Sequence, residues 1–184
     1  KDVSFSYDGD YDVRDVSFTL DAGQTLGIIG GTGSGKTTLV ALIERFYTPD
    51  KGEIYFCGEK LSDYAERALR GGIGYVPQRT AVLEGTLSEN LKIADPDASE
   101  QRQIAALETA QASELLSSLG LDGHILAGGK NLSGGQRQRV NIARALTRDN
   151  ILYLFDDATS ALDYKTERDF ISAVNRISGA EIFV

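Results

Sequence analysis

The chain has 184 residues, enough for one domain with a full core, and its 41% hydrophobic and 25% charged residues match ordinary globular usage, which excludes a disordered or collagen-like polymer. Nineteen basic against twenty-seven acidic residues give a formal charge of −8, the wrong sign for a domain that neutralises phosphates along DNA or RNA. The longest apolar runs, at 26–29 and 151–155, fall far short of the ~20 residues that span a bilayer. The single cysteine, Cys57, cannot form an internal disulfide and reads as a small buried hydrophobe in a reducing compartment.

The sequence begins at Lys1, holds no methionine and opens on no signal peptide, so it reads as a piece of something longer, truncated at both ends. Alternation in Val3, Phe5 and Tyr7, and again in Val16, Phe18 and Leu20, predicts two half-buried antiparallel strands joined by a turn containing Gly9. The apolar run 24–29, ending in glycines, predicts a buried strand, and 36–46 has the length and composition of a helix. Strand-like runs recur at 52–57, 73–76, 151–155 and 181–184 with helical stretches between several of them, the pattern of an α/β domain with a mostly parallel central sheet. Residues 86–119 differ. They hold a short apolar segment at 87–93, the breaker Asp95-Pro96, and a longer helix in which Ile104, Leu107, Leu115 and Leu119 recur at helical spacing. This reads as a helical subdomain, approximately 86–148, inserted into the sheet domain.

Gly30-Gly31-Thr32-Gly33-Ser34-Gly35-Lys36-Thr37 satisfies G-x-x-x-x-G-K-S/T and lies between an expected strand and an expected helix, the context the motif requires. Glycines let backbone amides curve around phosphate oxygens at a helix N-terminus, Lys36 supplies charge to the β and γ phosphates, and the Thr37 hydroxyl can ligate Mg²⁺. Downstream, Ile151-Leu152-Tyr153-Leu154-Phe155-Asp156-Asp157 is an apolar strand that delivers two carboxylates at its C-terminal end, where open parallel sheets place their ligands. It resembles a Walker B strand, in which Asp156 would hold the magnesium shell.

Leu132-Ser133-Gly134-Gly135-Gln136, followed by a helix from Arg137 to Leu146, puts a serine cap and two glycines at a second anion-attracting helix start. This looks like the ABC signature motif. With the phosphate loop upstream and the acidic strand downstream, the chain resembles ABC-type nucleotide-binding domains over essentially its whole length. The resemblance implies a P-loop NTPase core with a mostly parallel sheet, an N-terminal antiparallel β subdomain and an inserted α-helical subdomain. It implies ATP and Mg²⁺ as ligands, with Gly31, Thr32, Gly33, Ser34, Gly35, Lys36, Thr37 and Thr38 around the phosphates and Tyr7 stacked on adenine. Gln78, in Tyr75-Val76-Pro77-Gln78, matches the Q-loop glutamine that meets metal and attacking water, and Asp163, in Ser160-Ala161-Leu162-Asp163, matches the D-loop. In that family two domains pack head to tail, so Ser133, Gly134, Gly135 and Gln136 of one would close over the nucleotide held by Lys36 of the other. The stretches 83–91 and 128–133 are similar to the exporter branch, which implies transmembrane partner domains and a place on the cytoplasmic face of a membrane.

Two departures stand out. Leu126-Ala127-Gly128 lacks the acidic residue that exporters usually carry shortly before the signature. The residue after the Walker B aspartate is normally the glutamate that polarises the attacking water, and here it is Asp157. A carboxylate one methylene short points to a slow site of its own and favours a heterodimer over a homodimer. The alternatives are a nucleotide-gated regulatory domain with little hydrolysis and a soluble ABC ATPase of DNA repair or translation; acidic charge and the lack of a coiled-coil insertion between Gln78 and Leu132 argue against the latter. No N-K-x-D element supports a GTPase, and His124 reads as a surface loop residue.

Overall fold

The computed structural model describes residues 1–9 and 12–184. Its first strands, β1 (Val3–Phe5) and β2 (Val13–Val16), pair antiparallel as expected but are shorter than the alternation suggests. Tyr7, Phe18 and Leu20 lie outside them. Between the pairs Val3↔Val16 and Phe5↔Val13 the register shifts: Asp15 sits at φ 49° and its N–H donates to the Ser4 hydroxyl at 2.9 Å, a bulge that ends regular alternation. Of the expected connecting turn, Asp10 and Tyr11 lie outside the described residues.

The strand expected over 24–29 shrinks to β3 (Thr25–Gly27), with Thr25 and Gly27 exposed and Ile29 99% exposed. The reason is its place in the sheet. Helix α1 (Lys36–Ile43) follows and stops at Arg45, whose left-handed φ of 58° turns the chain out, so the helix expected to 46 is three residues shorter. The strand expected over 52–57 is only β4 (Tyr55–Phe56), folded onto β5 (Glu59–Lys60) through Cys57 and Gly58, both at positive φ (49° and 85°). A two-residue hairpin loop of this kind needs positive φ at both positions. It carries Cys57 to the surface, which corrects the expectation of a buried thiol.

After α2 (Glu66–Gly71) and β6 (Ile73–Val76) the chain makes β7 (Gly85–Thr86), α3 (Leu87–Lys92), α4 (Glu100–Thr109), α5 (Ser113–Ser118) and β8 (His124–Ile125), the last pairing antiparallel with β7. His124 is exposed, in this short strand rather than a loop. The single long helix expected before Leu119 is broken at Gln111, φ 57°, whose carbonyl accepts from Arg139 Nη1 at 2.5 Å. Arg139 belongs to α6 (Gly134–Leu146), so a tertiary contact sets the break. Leu87, Leu91, Leu107, Leu115, Val140 and Ile142 join these helices in one buried cluster.

The chain closes with β9 (Leu152–Phe155), α7 (Tyr164–Val174) and β10 (Ala180–Phe183). The main sheet is parallel, in the order β3-β10-β9-β6. Strand β9 is central and buried on both faces: Leu152 and Leu154 pack with α1 residues Leu39, Val40 and Leu42, while Tyr153 and Phe155 pack toward Val140 of α6 and Phe170 of α7. That is why it reads as a continuous apolar run, and why β3, which among the described residues pairs only with β10, is exposed at its edge. Ile151 stays outside β9 and is 51% exposed.

Glu44 ends α1 with its side chain buried. Burial raises its pKa to about 7, against the pull of the Arg70 charge and helped by the negative charge of Asp156. Its proton is therefore held more tightly in the folded chain than at the ordinary value of 4.5, so its contribution to stability is fully present below about 4.5 and is lost as pH rises through about 7. Glu44→Gln, neutral at every pH, should melt higher than the natural chain by roughly 5 °C at about pH 8 and by much less at about pH 5. Thermal melts at the two pH values check this, and an equal gap at both would refute it.

Candidate nucleotide-binding site

The parallel sheet brings three strand ends to one edge. Register aligns Val76 of β6 with Phe155 of β9 and Phe183 of β10 with both Phe155 and Gly27 of β3, so the residues that follow these strands are neighbours. They are the glycine loop after β3, Gln78 after β6, and Asp156-Asp157 after β9.

The loop from Gly30 to Gly35 is exposed except at its end and leads into α1 through Gly35, which caps the helix in the left-handed region at φ 84°. A Cβ there would lie 2.1 Å from the carbonyl oxygen of Asp12, so strain and contact both demand glycine. Lys36 opens α1 and folds back over the loop, donating to the carbonyl oxygens of Gly30 and Gly31 at 2.7 Å each and to Ser34 Oγ at 3.3 Å. Its charge thus sits above the loop, held by neutral acceptors that an anion can replace. One residue on, Thr37 Oγ1 donates to Asp156 Oδ1 at 3.4 Å. Thr38 is half-buried beside it.

Asp156 is 2% exposed, and its Oδ2 is buried with no hydrogen-bond partner among the described residues. Burial raises its pKa, the Thr37 hydroxyl opposes that, the neighbouring Asp157 charge adds to it and the Lys36 charge opposes it. An orphaned buried carboxylate oxygen beside a threonine hydroxyl suits a hard cation such as Mg²⁺, which takes one or two carboxylates and completes its shell with water and phosphate oxygens. Asp157 is in the left-handed region at φ 50°, its N–H donates to the Val184 carbonyl at 3.0 Å, and its Oδ2 accepts from Gln78 Nε2 at 3.1 Å.

Tyr7 is half exposed and stands edge-on to Phe5 and Tyr47, with ring centroids 4.9 and 5.1 Å away. Its backbone N–H donates to Asp12 Oδ2 at 2.9 Å, and Asp12 is the residue whose carbonyl abuts Gly35, so one aspartate ties the aromatic surface to the glycine loop. The sequence pattern does not point to Asp12 or Tyr47: Asp12 belongs to no motif, and Tyr47 is an aromatic just beyond an expected helix end.

The remaining candidates lie at helix starts. Ser133 caps α6, accepting from Gln136 N–H at 3.1 Å, while Gln136 Oε1 accepts from Ser133 N–H at 2.9 Å. Gly134 is exposed and Gly135 partly so. Asp163 caps α7 through Lys165 N–H, Thr166 N–H and the Thr166 hydroxyl, which hold its carboxyl below the usual range. Among the described residues, no hydrogen bond joins Ser133, Gly134, Gly135, Gln136 or Asp163 to Lys36, Thr37, Gln78, Asp156 or the Asp157 side chain.

The ABC transporter family model matches residues 13–160. The chain belongs to the ABC transporter family. A β-(1→2)glucan export ATP-binding/permease protein, NdvA, of Agrobacterium vitis is 40% identical over 167 residues, covering 90% of this chain and 29% of its own length. An uncharacterized ABC transporter ATP-binding protein, YfiB, of Bacillus subtilis is 43% identical over 165 residues, 89% of this chain and 29% of its own. A bacterial Atm1-family ABC exporter solved with ATP bound matches 100% of this chain and 33% of its own, with a TM-score of 0.90 and 33% sequence identity. The ABC domain therefore spans about 30% of the length of these relatives, and its mixed α/β architecture is that of the P-loop nucleotide-binding fold.

Lys36 is the one cation that the described residues place over the glycine loop. Lys36→Ala is expected to weaken MgATP binding about 100-fold, in line with the loss of charge-assisted bonds to phosphate, while the domain stays folded. Calorimetric titration measures this; unchanged affinity would remove Lys36 from the site.

Proposed function

We propose that this ABC domain binds ATP with Mg²⁺ and hydrolyses it as the motor of an ABC exporter, paired head to tail with a second nucleotide-binding domain. The observation that carries the reading is the buried Oδ2 of Asp156 beside Thr37, without a partner among the described residues, at the edge where the Lys36 loop and Gln78 converge. Lys36 would exchange the Gly30 and Gly31 carbonyls for the β and γ phosphates, and the loop amides would cradle their oxygens. Thr37, Asp156 and Gln78 would hold Mg²⁺, which when bound offsets the charge gathering on the phosphates. Asp157 would orient the attacking water and accept its proton as the bond between the γ phosphorus and the bridging oxygen breaks. Tyr7 would carry the adenine. The relatives' names, which join ATP-binding to permease, support transmembrane partner domains and a position on the cytoplasmic face of a membrane rather than a soluble role. Among the described residues no helix is long and apolar enough to cross a membrane.

That the Ser133 and Asp163 side chains hydrogen-bond only within their own helix caps, and not to the Lys36 edge, among the described residues, supports their acting on the partner's nucleotide. Ser133→Arg should leave ATP affinity of the single domain within about twofold and abolish closure with a partner, since a charged side chain would meet the partner's face. Affinity by titration and ATP-dependent dimerisation by light scattering test this; loss of binding by the monomer would mean one shared site.

A second feature favours a heterodimer. Asp157 ends one methylene short of the usual glutamate, about 1 Å, and misplacement of that size can cost on the order of 100-fold in rate. The intact signature of this chain would serve a partner bearing the glutamate, giving one slow and one fast site. In the transporter that carries this domain, Asp157→Glu should raise turnover at its own site by 10- to 100-fold. Fast hydrolysis by the natural sequence without a partner would refute the slow-site reading.

A further inference from the structure

Asp157 is also reached from α6, by a route that involves no nucleotide. Gln138, in the second turn of that helix, is 1% exposed, and its Nε2 donates to the carbonyl oxygen of Ala158 at 2.7 Å. Ala158 follows Asp157 directly and is itself buried. Around this bond the segment 157–161 is pinned from several sides. The Asp157 N–H is held by Val184, and its carbonyl accepts from the Ser160 N–H at 3.3 Å and the Ser160 hydroxyl at 2.9 Å. Gly135, in the first turn of α6, lies against the Ala161 carbonyl so closely that a Cβ would come within 3.2 Å of it. Two levels of the signature helix therefore press on the turn that presents the carboxylate.

We propose that Gln138 is a positioning residue for Asp157. Its amide fixes the Ala158 carbonyl, and with it the left-handed backbone at Asp157 that brings the carboxylate to Gln78. A buried carbonyl deprived of its donor must turn toward another partner or toward water, and here the turn would carry Asp157 with it. The inference deepens the proposed function and rests on the reading that Asp157 serves the attacking water. None of the residues placed around the phosphates or the adenine hydrogen-bonds to Gln138, so the effect should fall on the chemical step and spare nucleotide affinity.

The test is a double-mutant cycle in the transporter that carries this domain, with the catalytic carboxylate of any partner domain removed so that only the Asp157 site turns over, read by steady-state and single-turnover ATP hydrolysis. Gln138→Met keeps the shape and removes the donor; it should lower kcat about 10-fold and leave KM within about twofold. In an Asp157→Ala background the same change should produce no further loss, because the group it positions is gone. An equal further fall in that background, or an unchanged kcat in the natural one, overturns the inference alone. Asp157→Ala turning over at the natural rate overturns the underlying reading, and this inference with it. Should the methionine variant fail to fold, Gln138→Leu carries the same cycle: it likewise offers no donor to the Ala158 carbonyl and should lower kcat as far, again only where Asp157 is present.

Discussion

Everything at the site hangs from one strand. β9 is hydrogen-bonded on both sides, to β6 and to β10, and is buried on both faces, so its end cannot shift without breaking two ladders and two layers of core. Phe155 shows how tightly that end is held: it stacks on Phe183 at 4.6 Å between centroids and meets Phe170 edge-on at 5.4 Å. Asp156 and Asp157 follow directly. Exposed polar loops can then be placed against them, because the rigid partner in each contact is the strand end.

The electrostatics follow from that placement. A chain of net charge −8 binds a polyanion only where local fields oppose the global one. Here the opposing field comes from Lys36 and from a glycine loop opening a helix, whose free amides and dipole carry positive partial charge. Two adjacent aspartates at the same edge would repel phosphate unless a cation lay between them and it, and the raised pKa of Asp156 expresses the cost of burying its charge. The aromatic surface is tied in mechanically, since Asp12 holds Tyr7 with its side chain and meets Gly35 with its carbonyl.

The candidate site was legible in the sequence because its loop is a motif of fixed spacing in one short segment, from Gly30 to Thr37, and the central strand because a strand buried on both faces must be apolar throughout, as β9 is. What was not legible depends on contacts between distant segments. That 24–29 is largely exposed follows from the place of β3 at the sheet edge, which no local pattern encodes. The break at Gln111 depends on Arg139, and the surface position of Cys57 on a hairpin loop whose glycine alone hinted at it. Asp12 and Gln138 are ordinary polar residues by sequence. Only the fold brings one against Gly35 and the other against Ala158.

The two neighbouring carboxylates illustrate how backbone geometry divides their roles. In a continuing strand, Asp156 and Asp157 would point to opposite faces of the sheet. Asp156 keeps the strand's direction, its N–H donating to the Val76 carbonyl at 3.0 Å, and its side chain stays buried against Thr37. Asp157 leaves that geometry for the left-handed region, which an aspartate tolerates better than most residues with a Cβ. The change of direction brings its carboxylate to Gln78 at the end of the adjacent strand. The reach of this side chain is therefore set as much by the turn that holds its backbone as by its own length, and the contacts on residues 158 to 161 hold that turn.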